Sequence, residues 1–477
     1  MNKKIKLSKG VKASAAFFVA NIVTKGISYI TTPIFTRMLT TTEYGQVSVY
    51  LTWMQIFGII AMFCLSYGVF NNGMVDYPEK RDEYSFSMLI LSNIITLCFS
   101  ALILCLYPFI NNYLKMDFPL LVIMCCVFFF QPAYSFWTAK QRYEYKYKAV
   151  FTVTIISSII SPLIAIVWML LCEKGARLYP RIFGAEITLI LIYIVFYVYL
   201  GIRSSWKLET KYWKAALLFN LPLIPHYLST YLLSSSDRIM ISYLVSDSAT
   251  AFYSVAYAIA SIALIIWTAI NASLVPFTYE KCKGKDYASI NKVSMPLLAL
   301  FAVGCVFVIL LAPEAVKIIA TSEYVDAIYV IPPIVGGVFF QVQYYLYANI
   351  VYYYKKPIYV MIGSIVAFVC NIILNYFCIK QWGYIAAGFT TLICYMIQAL
   401  IDYLAMRRIV KEKIYNMKFV LILSLVMSVV SVLSIFIYDN YYIRYALLLV
   451  LILLAFVFRR KIVSIIRFDK NIEGIES

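Results

Sequence analysis

Long apolar runs, broken by short charged or turn-rich segments, fill almost the whole chain. A helix needs about 20 apolar residues to cross the hydrocarbon core of a bilayer, and fourteen runs of suitable length are present. The pattern therefore predicts an all-α polytopic membrane protein with about fourteen transmembrane helices. The predicted spans are 13–36, 45–69, 85–110, 118–138, 149–172, 182–202, 215–236, 250–277, 293–312, 327–352, 357–379, 383–405, 419–438 and 443–458.

The composition supports this interpretation, because 63% of the 477 residues are hydrophobic, 13% are charged and the mean hydropathy is +0.83. Soluble chains are closer to 45–50% apolar and 25% charged. The chain has a single His and no metal-ligand spacing of its cysteines, so we expect no metal and no cofactor. The lysine-rich N-terminus leads into an apolar run with small residues before it, which predicts an uncleaved first helix.

The distribution of Lys and Arg predicts the orientation. With the N-terminus inside, 31 of the 41 basic residues fall in inner segments, nine fall at the outer side, and Lys25 lies within a span. This is the positive-inside asymmetry, and it predicts that both termini are cytoplasmic. The net charge of +18 then requires no nucleic-acid partner. Inner basic clusters such as Lys140, Arg142, Lys146 and Lys148 are expected to meet anionic membrane lipids.

The chain contains a weak internal repeat, which is common in transporters. A shift of 201 positions aligns span one with span seven at three polar places: Lys25 with His226, Ser28 with Ser229, and Arg37 with Arg238. The repeat predicts two pseudo-symmetric six-helix lobes, at residues 1–214 and 215–405. Two further helices and a cytoplasmic tail would follow at 406–477.

The first span carries a polar stripe. Lys25 precedes Arg37 by twelve residues, about 18 Å of helix, so Lys25 should lie near the membrane midplane if Arg37 lies at the outer rim. A charge at that depth costs at least about 2.5–3.5 kcal/mol. The stripe should therefore line a wet cavity, where Lys25 binds substrate or pairs with a carboxylate of another helix. Its members are Asn21, Lys25, Ser28 and Thr32.

The seventh span has a similar set of polar groups. Pro222 and Pro225 should bend or break this helix and expose its carbonyls. His226 either lines the cavity or is merely hydrogen-bonded, and Asp237 either neutralises Arg238 or has a coupling role.

Two other embedded acids, Glu186 and Asp402, either pair with basic groups or carry a coupling proton. The excess of cationic over acidic groups favours an anionic substrate. A diphosphate is a natural fit, since ammonium and guanidinium groups bind phosphate oxygens through charge-assisted hydrogen bonds.

Three motifs of the chain are distinctive. They are Thr24-Lys25-Gly26-Ile27-Ser28 with Pro33 to Arg37 and Glu43-Tyr44-Gly45; Asp237-Arg238 with Tyr253-Ser254-Val255-Ala256-Tyr257; and Asn371 to Asn375 with Gly383 and Ala386-Ala387-Gly388. Together they resemble the Wzx-type polysaccharide flippases, in the superfamily that also holds lipid II flippases and multidrug and toxic-compound extruders. Two departures from the family pattern are Ala251, where the family often has Gly, and Lys380, where Pro is common.

The resemblance implies two lobes around a central cationic cavity and alternating access in a bacterial inner membrane. It implies a substrate of undecaprenyl-diphosphate-linked oligosaccharide, with the polyprenyl chain in lipid and a polysaccharide polymerase and chain-length machinery as partners. Lys25 and Arg37 match positions where family members place basic residues that meet the diphosphate. Coupling to an H+ or Na+ gradient is compatible with these residues.

Three alternatives compete with this interpretation. A multidrug or cation extruder of the same superfamily would need membrane-embedded carboxylates in the N-terminal lobe, where Glu186 is the one candidate. A membrane polymerase or acyltransferase would need a catalytic cluster on a sizeable outer loop, and no predicted outer loop exceeds about fifteen residues. A scaffold would have no use for buried charges.

Overall fold

The computed structural model describes residues 9–66, 68–457 and 459 of the chain. Within that part the regular structure is entirely helical, with seventeen α-helices and four short 3-10 helices. The first eight α-helices are α1 (Lys9–Met38), α2 (Thr41–Ala61), α3 (Gly68–Asp76), α4 (Arg81–Leu114), α5 (Phe118–Tyr143), α6 (Tyr147–Leu170), α7 (Leu178–Arg203) and α8 (Trp213–Asn220).

The remaining nine helices begin with one that continues the bent seventh span. They are α9 (Leu223–Leu244), α10 (Asp247–Lys283), α11 (Tyr287–Leu310), α12 (Ala312–Ile319), α13 (Ile331–Tyr353), α14 (Pro357–Trp382), α15 (Ile385–Ile409), α16 (Met417–Leu433) and α17 (Tyr441–Val457).

Each of the fourteen predicted spans is helical over most of its length, which confirms the all-α polytopic fold. In the described residues, ten helices are long and apolar enough to cross a membrane, and an eleventh forms if α8 and α9 count as one bent span. The other three predicted spans correspond to α1 and α2, which are rich in polar side chains, and to α17, which is short.

The seventh span is broken where its prolines predicted. Helix α8 ends at Asn220, α9 starts at Leu223, and their axes differ by 51°. Pro222 supplies no backbone donor at the break. Pro225 lies in the first turn of α9, where backbone N–H groups have no helical acceptor and none is lost.

The prediction of a continuous second span over 45–69 is wrong. Helix α2 ends at Ala61, and Phe63 and Cys64 adopt left-handed φ angles of 53° and 51° before α3 begins. Side chains from distant helices satisfy the carbonyls freed at this break. Thr96 Oγ1 donates to the carbonyl of Ala61 (3.0 Å), and Asn220 Nδ2 donates to that of Phe63 (3.2 Å).

The chain forms two compact units. Unit 1 comprises residues 1–235 and 246–248, and unit 2 comprises residues 236–245 and 249–477. The boundary lies within α9, and α16 and α17 belong to unit 2. The predicted lobes at 1–214 and 215–405 rest on the internal sequence repeat, whereas these units are defined by compactness. The lobes therefore stay a prediction.

Each unit has its own apolar core. In unit 1, α3, α4, α5 and α8 enclose a cluster around Phe70, Met88, Leu89 and Phe136. In unit 2 the central element is α13, which is almost wholly buried and packs chiefly against α15, α11 and α16.

Candidate substrate site

The predicted polar stripe lies on α1 in unit 1. Lys25 and Ser28 are both exposed, and the side chain of Asn21 lies outside the described part of the chain. The hydroxyls of the stripe bond to their own helix: Ser28 Oγ donates to the carbonyl of Thr24 (3.2 Å), and Thr32 Oγ1 donates to that of Ser28 (2.7 Å). The Lys25 ammonium has no hydrogen-bond or ion-pair partner among the described residues, so the stripe presents a cation available to a ligand.

Arg37, also exposed, lies near the C-terminal end of α1. Its Nη1 donates to the carbonyl of Pro33 (2.8 Å), one turn back on the same helix. Basic side chains often satisfy the last carbonyls of a helix in this way and interact favourably with its dipole. Part of the hydrogen-bonding capacity of Arg37 therefore stabilises the end of α1.

His226 lies in unit 1, in the first turn of α9, and is half-buried. Its backbone carbonyl accepts hydrogen bonds from Ser229 Oγ (3.0 Å) and Thr230 Oγ1 (2.9 Å). Its Nδ1 is buried and has no hydrogen-bond partner within the described residues. The imidazole therefore keeps one ring nitrogen for a ligand or a water molecule.

Asp237 lies in unit 2 and is fully buried. Its carboxylate accepts hydrogen bonds from Tyr253 Oη (2.5 Å), Asn375 Nδ2 (2.5 Å) and Thr391 Oγ1 (2.8 Å), which come from α10, α14 and α15. The sequence left open whether Asp237 neutralises its neighbour Arg238, and this stays a prediction. The structure surrounds the carboxylate with three neutral donors, and the charge of Arg238 also acts on it.

These contacts belong to a larger set, the Asp237 network, whose other members join α9, α14 and α15. Asn371 Oδ1 accepts from Ser236 Oγ (3.2 Å) and from Asn375 Nδ2 (3.0 Å), while Thr390 Oγ1 donates to Asn375 Oδ1. The motif from Asn371 to Asn375 thus has a structural role. Arg238 itself stacks its guanidinium over the ring of Tyr257, 4.6 Å from the centroid.

Glu186 is buried in α7 of unit 1, and its Oε2 has no hydrogen-bond partner in the part of the chain that the structure describes. The expected partner of opposite charge is not in contact with it, since no ion pair of Glu186 occurs among the described residues. Arg181, one turn earlier on α7, places its guanidinium over the ring of Phe35 (3.9 Å). The predicted coupling role of Glu186 stays a prediction.

The Glu43-Tyr44-Gly45 motif also proves to be structural. Glu43 closes a capping box with Thr40 at the start of α2, and its Oε1 accepts from the backbone N–H of Arg177 (2.6 Å). A Cβ on Gly45 would lie 1.8 Å from the carbonyl oxygen of Asp247, which belongs to the same unit. Only glycine allows this close approach.

The basic cluster that starts in the last turn of α5 does not face lipid headgroups as a whole, which corrects the prediction for Lys140. That side chain is 2% exposed and forms ion pairs with Asp82 and Glu144. Burial acts to raise the pKa of Glu144, but hydrogen bonds and charges from Lys146 and Lys140 outweigh it and lower that pKa below its ordinary value. Lys146 remains exposed.

A cavity that the sequence did not indicate lies within unit 1. It has a volume of about 240 Å³ and lies between α2, α4, α5 and the turn after α2. Its lining carries amides and hydroxyls and no charged side chain. The lining residues are Met54, Gln55, Gly58, Ile59, Met62, Cys64, Ser66, Ser92, Gln131, Pro132, Ser135 and Phe136.

The fold is that of two classes of solved membrane transporter. The chain is similar to the lipid II flippase MurJ in an inward closed conformation, with a TM-score of 0.69 and 16% identity over 95% of this chain and 100% of that one. It is also similar to an inward-facing multidrug resistance transporter of the MATE family in the MOP superfamily. There the TM-score is 0.64 and the identity 11%, over 81% of this chain and 94% of the other.

The family follows from the sequence itself. The family model described as polysaccharide biosynthesis protein matches residues 11–280, more than half of the chain, so the protein belongs to this family. It is a multi-pass membrane protein of polysaccharide biosynthesis. A protein of the Lsg locus of Haemophilus influenzae is 22% identical over 364 residues, which are 73% of this chain and 86% of that protein.

Proposed function

We propose that the protein is a flippase for undecaprenyl-diphosphate-linked oligosaccharide repeat units. It moves them from the cytoplasmic to the outer face of the plasma membrane by alternating access. The family supports a lipid-linked glycan as substrate, and the fold is shared with a solved lipid II flippase. The positive-inside distribution of Lys and Arg supports cytoplasmic termini.

The observation that carries the proposal is the state of Lys25. Its ammonium lies in the middle of a 30-residue helix, is exposed, and has no partner among the described side chains. A cation within a membrane span is costly unless it lines a wet cavity or meets an anion. The substrate diphosphate provides that anion, and Lys25 would bind its oxygens by charge-assisted hydrogen bonds.

The other basic groups have narrower roles in this proposal. Arg37 in unit 1 and Arg238 in unit 2 would each contribute positive charge, and Asn21, Ser28 and His226 would contribute neutral hydrogen bonds. Asp237 would hold its helix in place through the Asp237 network, and Glu186 would be the candidate for coupling to an H+ or Na+ gradient. A polymerase and chain-length machinery would receive the product.

The test is complementation in the source bacterium after deletion of this gene. The wild-type chain and Lys25→Arg should restore surface polysaccharide, whereas Lys25→Ala should lower the transport rate about tenfold or more, as expected for the loss of one charged hydrogen bond. Lys380→Ala removes an exposed lysine at the end of α14 and serves as the matched control. Surface polysaccharide should be measured together with lipid-linked glycan retained in the cell.

The proposal fails if the deletion strain keeps its polysaccharide and instead becomes sensitive to cationic drugs. That outcome would identify the multidrug or cation extruder, with Glu186 as the membrane carboxylate. Full restoration by Lys25→Ala would keep the flippase and remove Lys25 from its mechanism.

A further inference from the structure

The cavity of unit 1 contains polar groups that the protein itself does not satisfy. Ser92 Oγ is buried, with the residue 1% exposed, and it has no hydrogen-bond partner in the described chain. The side-chain amides of Gln55 and Gln131 also make no hydrogen bond to any described residue. Leaving a buried polar group unpaired costs about 1–3 kcal/mol. Ser92 is such a buried group, while Gln131 is half-buried and Gln55 is exposed at the same space. A ligand or water in this space would complete the hydrogen bonds of all three side chains.

The wall of this cavity is also irregular. Cys64 lines it in a left-handed conformation, next to Phe63 in the same conformation. Backbone of this kind costs about 1–3 kcal/mol per residue and is concentrated at functional sites. Pro132 lines the opposite wall, inside α5, and leaves the carbonyl of Phe128 without its usual helical donor. Both irregularities therefore occur where the chain borders the cavity.

The chemistry of the lining selects among the parts of a lipid-linked glycan. The diphosphate is excluded, because no Lys, Arg or His lines the cavity. The polyprenyl chain is excluded, because it would leave the amides and the Ser92 hydroxyl unpaired. An uncharged polyhydroxylated group can pair with amides and hydroxyls, and its C–H faces can pack on Phe136 and Met54.

The size of the cavity narrows the choice further. Its volume of about 240 Å³ is below the range of about 300–1,000 Å³ typical of sites for drug-sized ligands. This is room for one sugar ring and not for a whole repeat unit. Gln55 is exposed and marks the open side of the cavity.

We propose that this cavity is a sugar subsite, which binds one uncharged sugar of the transported glycan through Gln55, Gln131 and Ser92. The proposal rests on the proposed flippase function and adds to it a place where the glycan is recognised. Lys25 binds the diphosphate that all such substrates share, and the subsite binds a sugar, the part that differs among them. Substrate selectivity then resides in neutral side chains of α2, α4 and α5.

The test compares two probes on the purified full-length protein in lipid nanodiscs. One probe is the lipid-linked glycan extracted from the source strain, and the other is bare undecaprenyl diphosphate. The wild type should bind the glycan-bearing lipid more tightly. Gln131→Leu should reduce that preference about tenfold, equivalent to one lost hydrogen bond of about 1.4 kcal/mol. Ser92→Ala, which changes the lining without changing its shape, should reduce the preference as well.

Gln141→Leu is the matched control, because Gln141 lies on the same helix about 15 Å from Gln131 and does not line the cavity. It should leave both affinities unchanged. Lys25→Ala should weaken the binding of both probes. If the wild type binds neither probe, the flippase proposal falls. If the wild type binds both probes equally, or if the subsite variants keep the preference, the cavity holds water only and the inference is overturned while the flippase stands.

Discussion

The two units use the same polar side chains in opposite ways. In unit 2 the amides and hydroxyls of the Asp237 network bond to one another and to a carboxylate, within a fully packed region. In unit 1 the amides of Gln55 and Gln131 and the hydroxyl of Ser92 surround an open volume without partners among the described residues.

This difference separates polar groups that specify the fold from polar groups that are available to bind. A satisfied buried network fixes one packing arrangement, and removing a member leaves the others unpaired. An unsatisfied set stabilises nothing, so its removal should cost the fold little or even stabilise it. Residue type and burial alone do not distinguish the two cases; the hydrogen-bond partners do.

Asp237→Ala should have the largest effect on stability. It would leave Tyr253, Asn375 and Thr391 without their acceptor, at about 1–3 kcal/mol for each buried donor. We expect a loss of about 3 kcal/mol or more, measured as a fall in the unfolding temperature in detergent. Asp237→Asn keeps the shape and one acceptor oxygen and should lose less. An unchanged unfolding temperature for Asp237→Ala would abolish the distinction between the units.

Gly45→Ala should have the next largest effect on stability. It tests whether unit 1 simply tolerates substitutions. The added Cβ would meet the carbonyl oxygen of Asp247 at 1.8 Å, so the backbone must move. Overpacking of this kind costs about 1–3 kcal/mol. Gly304→Ala, on α11 with nothing within 4 Å of its Cβ, is the control and should gain about 0.5–1 kcal/mol. Equal unfolding temperatures for the two variants would contradict the contact.

Asp402 is one of the buried polar groups of unit 2 that lack a partner among the described residues, and its replacement should stabilise the protein. Both carboxylate oxygens are buried without a partner among the described residues, and the side chain packs against α14 at Gly363. Asp402→Asn should raise the free energy of unfolding by about 1 kcal/mol, because it removes a potential charge from an unpaired site. A lower unfolding temperature would mean that the carboxylate is paired in the folded protein.

Ser92→Ala should show the smallest change in stability, between zero and a gain of about 1 kcal/mol, since its hydroxyl has no partner to lose. The measurement is the unfolding temperature without any lipid-linked glycan present. Ser364→Ala is a matched control in unit 2, because Ser364 Oγ accepts a hydrogen bond from Gln398 Nε2 (3.1 Å). Removing that hydroxyl should lower the unfolding temperature. If Ser92→Ala is the more damaging of the two, the contrast between satisfied and unsatisfied groups is wrong.

The fold was largely predictable from the sequence because membrane spans are defined by local apolar length. The break at Pro222 was also predictable, because proline lacks a backbone N–H whatever surrounds it. The break after Ala61 was not, because no proline or glycine marks it and the donors that permit it are Thr96 and Asn220. Only the tertiary structure brings those donors to the exposed carbonyls.

The candidate site was predictable in part. The polar stripe of α1 follows from helical spacing, and the structure places Lys25 and Ser28 on it. The pairs Asn371 with Asn375 and Gln131 with Ser135 show the same four-residue spacing in apolar helices. Yet spacing could not reveal that Asn375 of the first pair bonds to Asp237, whereas the second pair borders a cavity. That difference depends on what the neighbouring helices contribute.

The bond between Asn220 and Phe63 has a consequence for how the protein is made. Its two residues are 157 positions apart, which at a synthesis rate of about 5–20 residues per second corresponds to roughly 10–30 s on the ribosome. During that interval the carbonyl of Phe63 lacks its final donor in a medium that offers few substitutes. The hydrogen bond at the break after α2 can therefore form only after the seventh span has been synthesised and inserted.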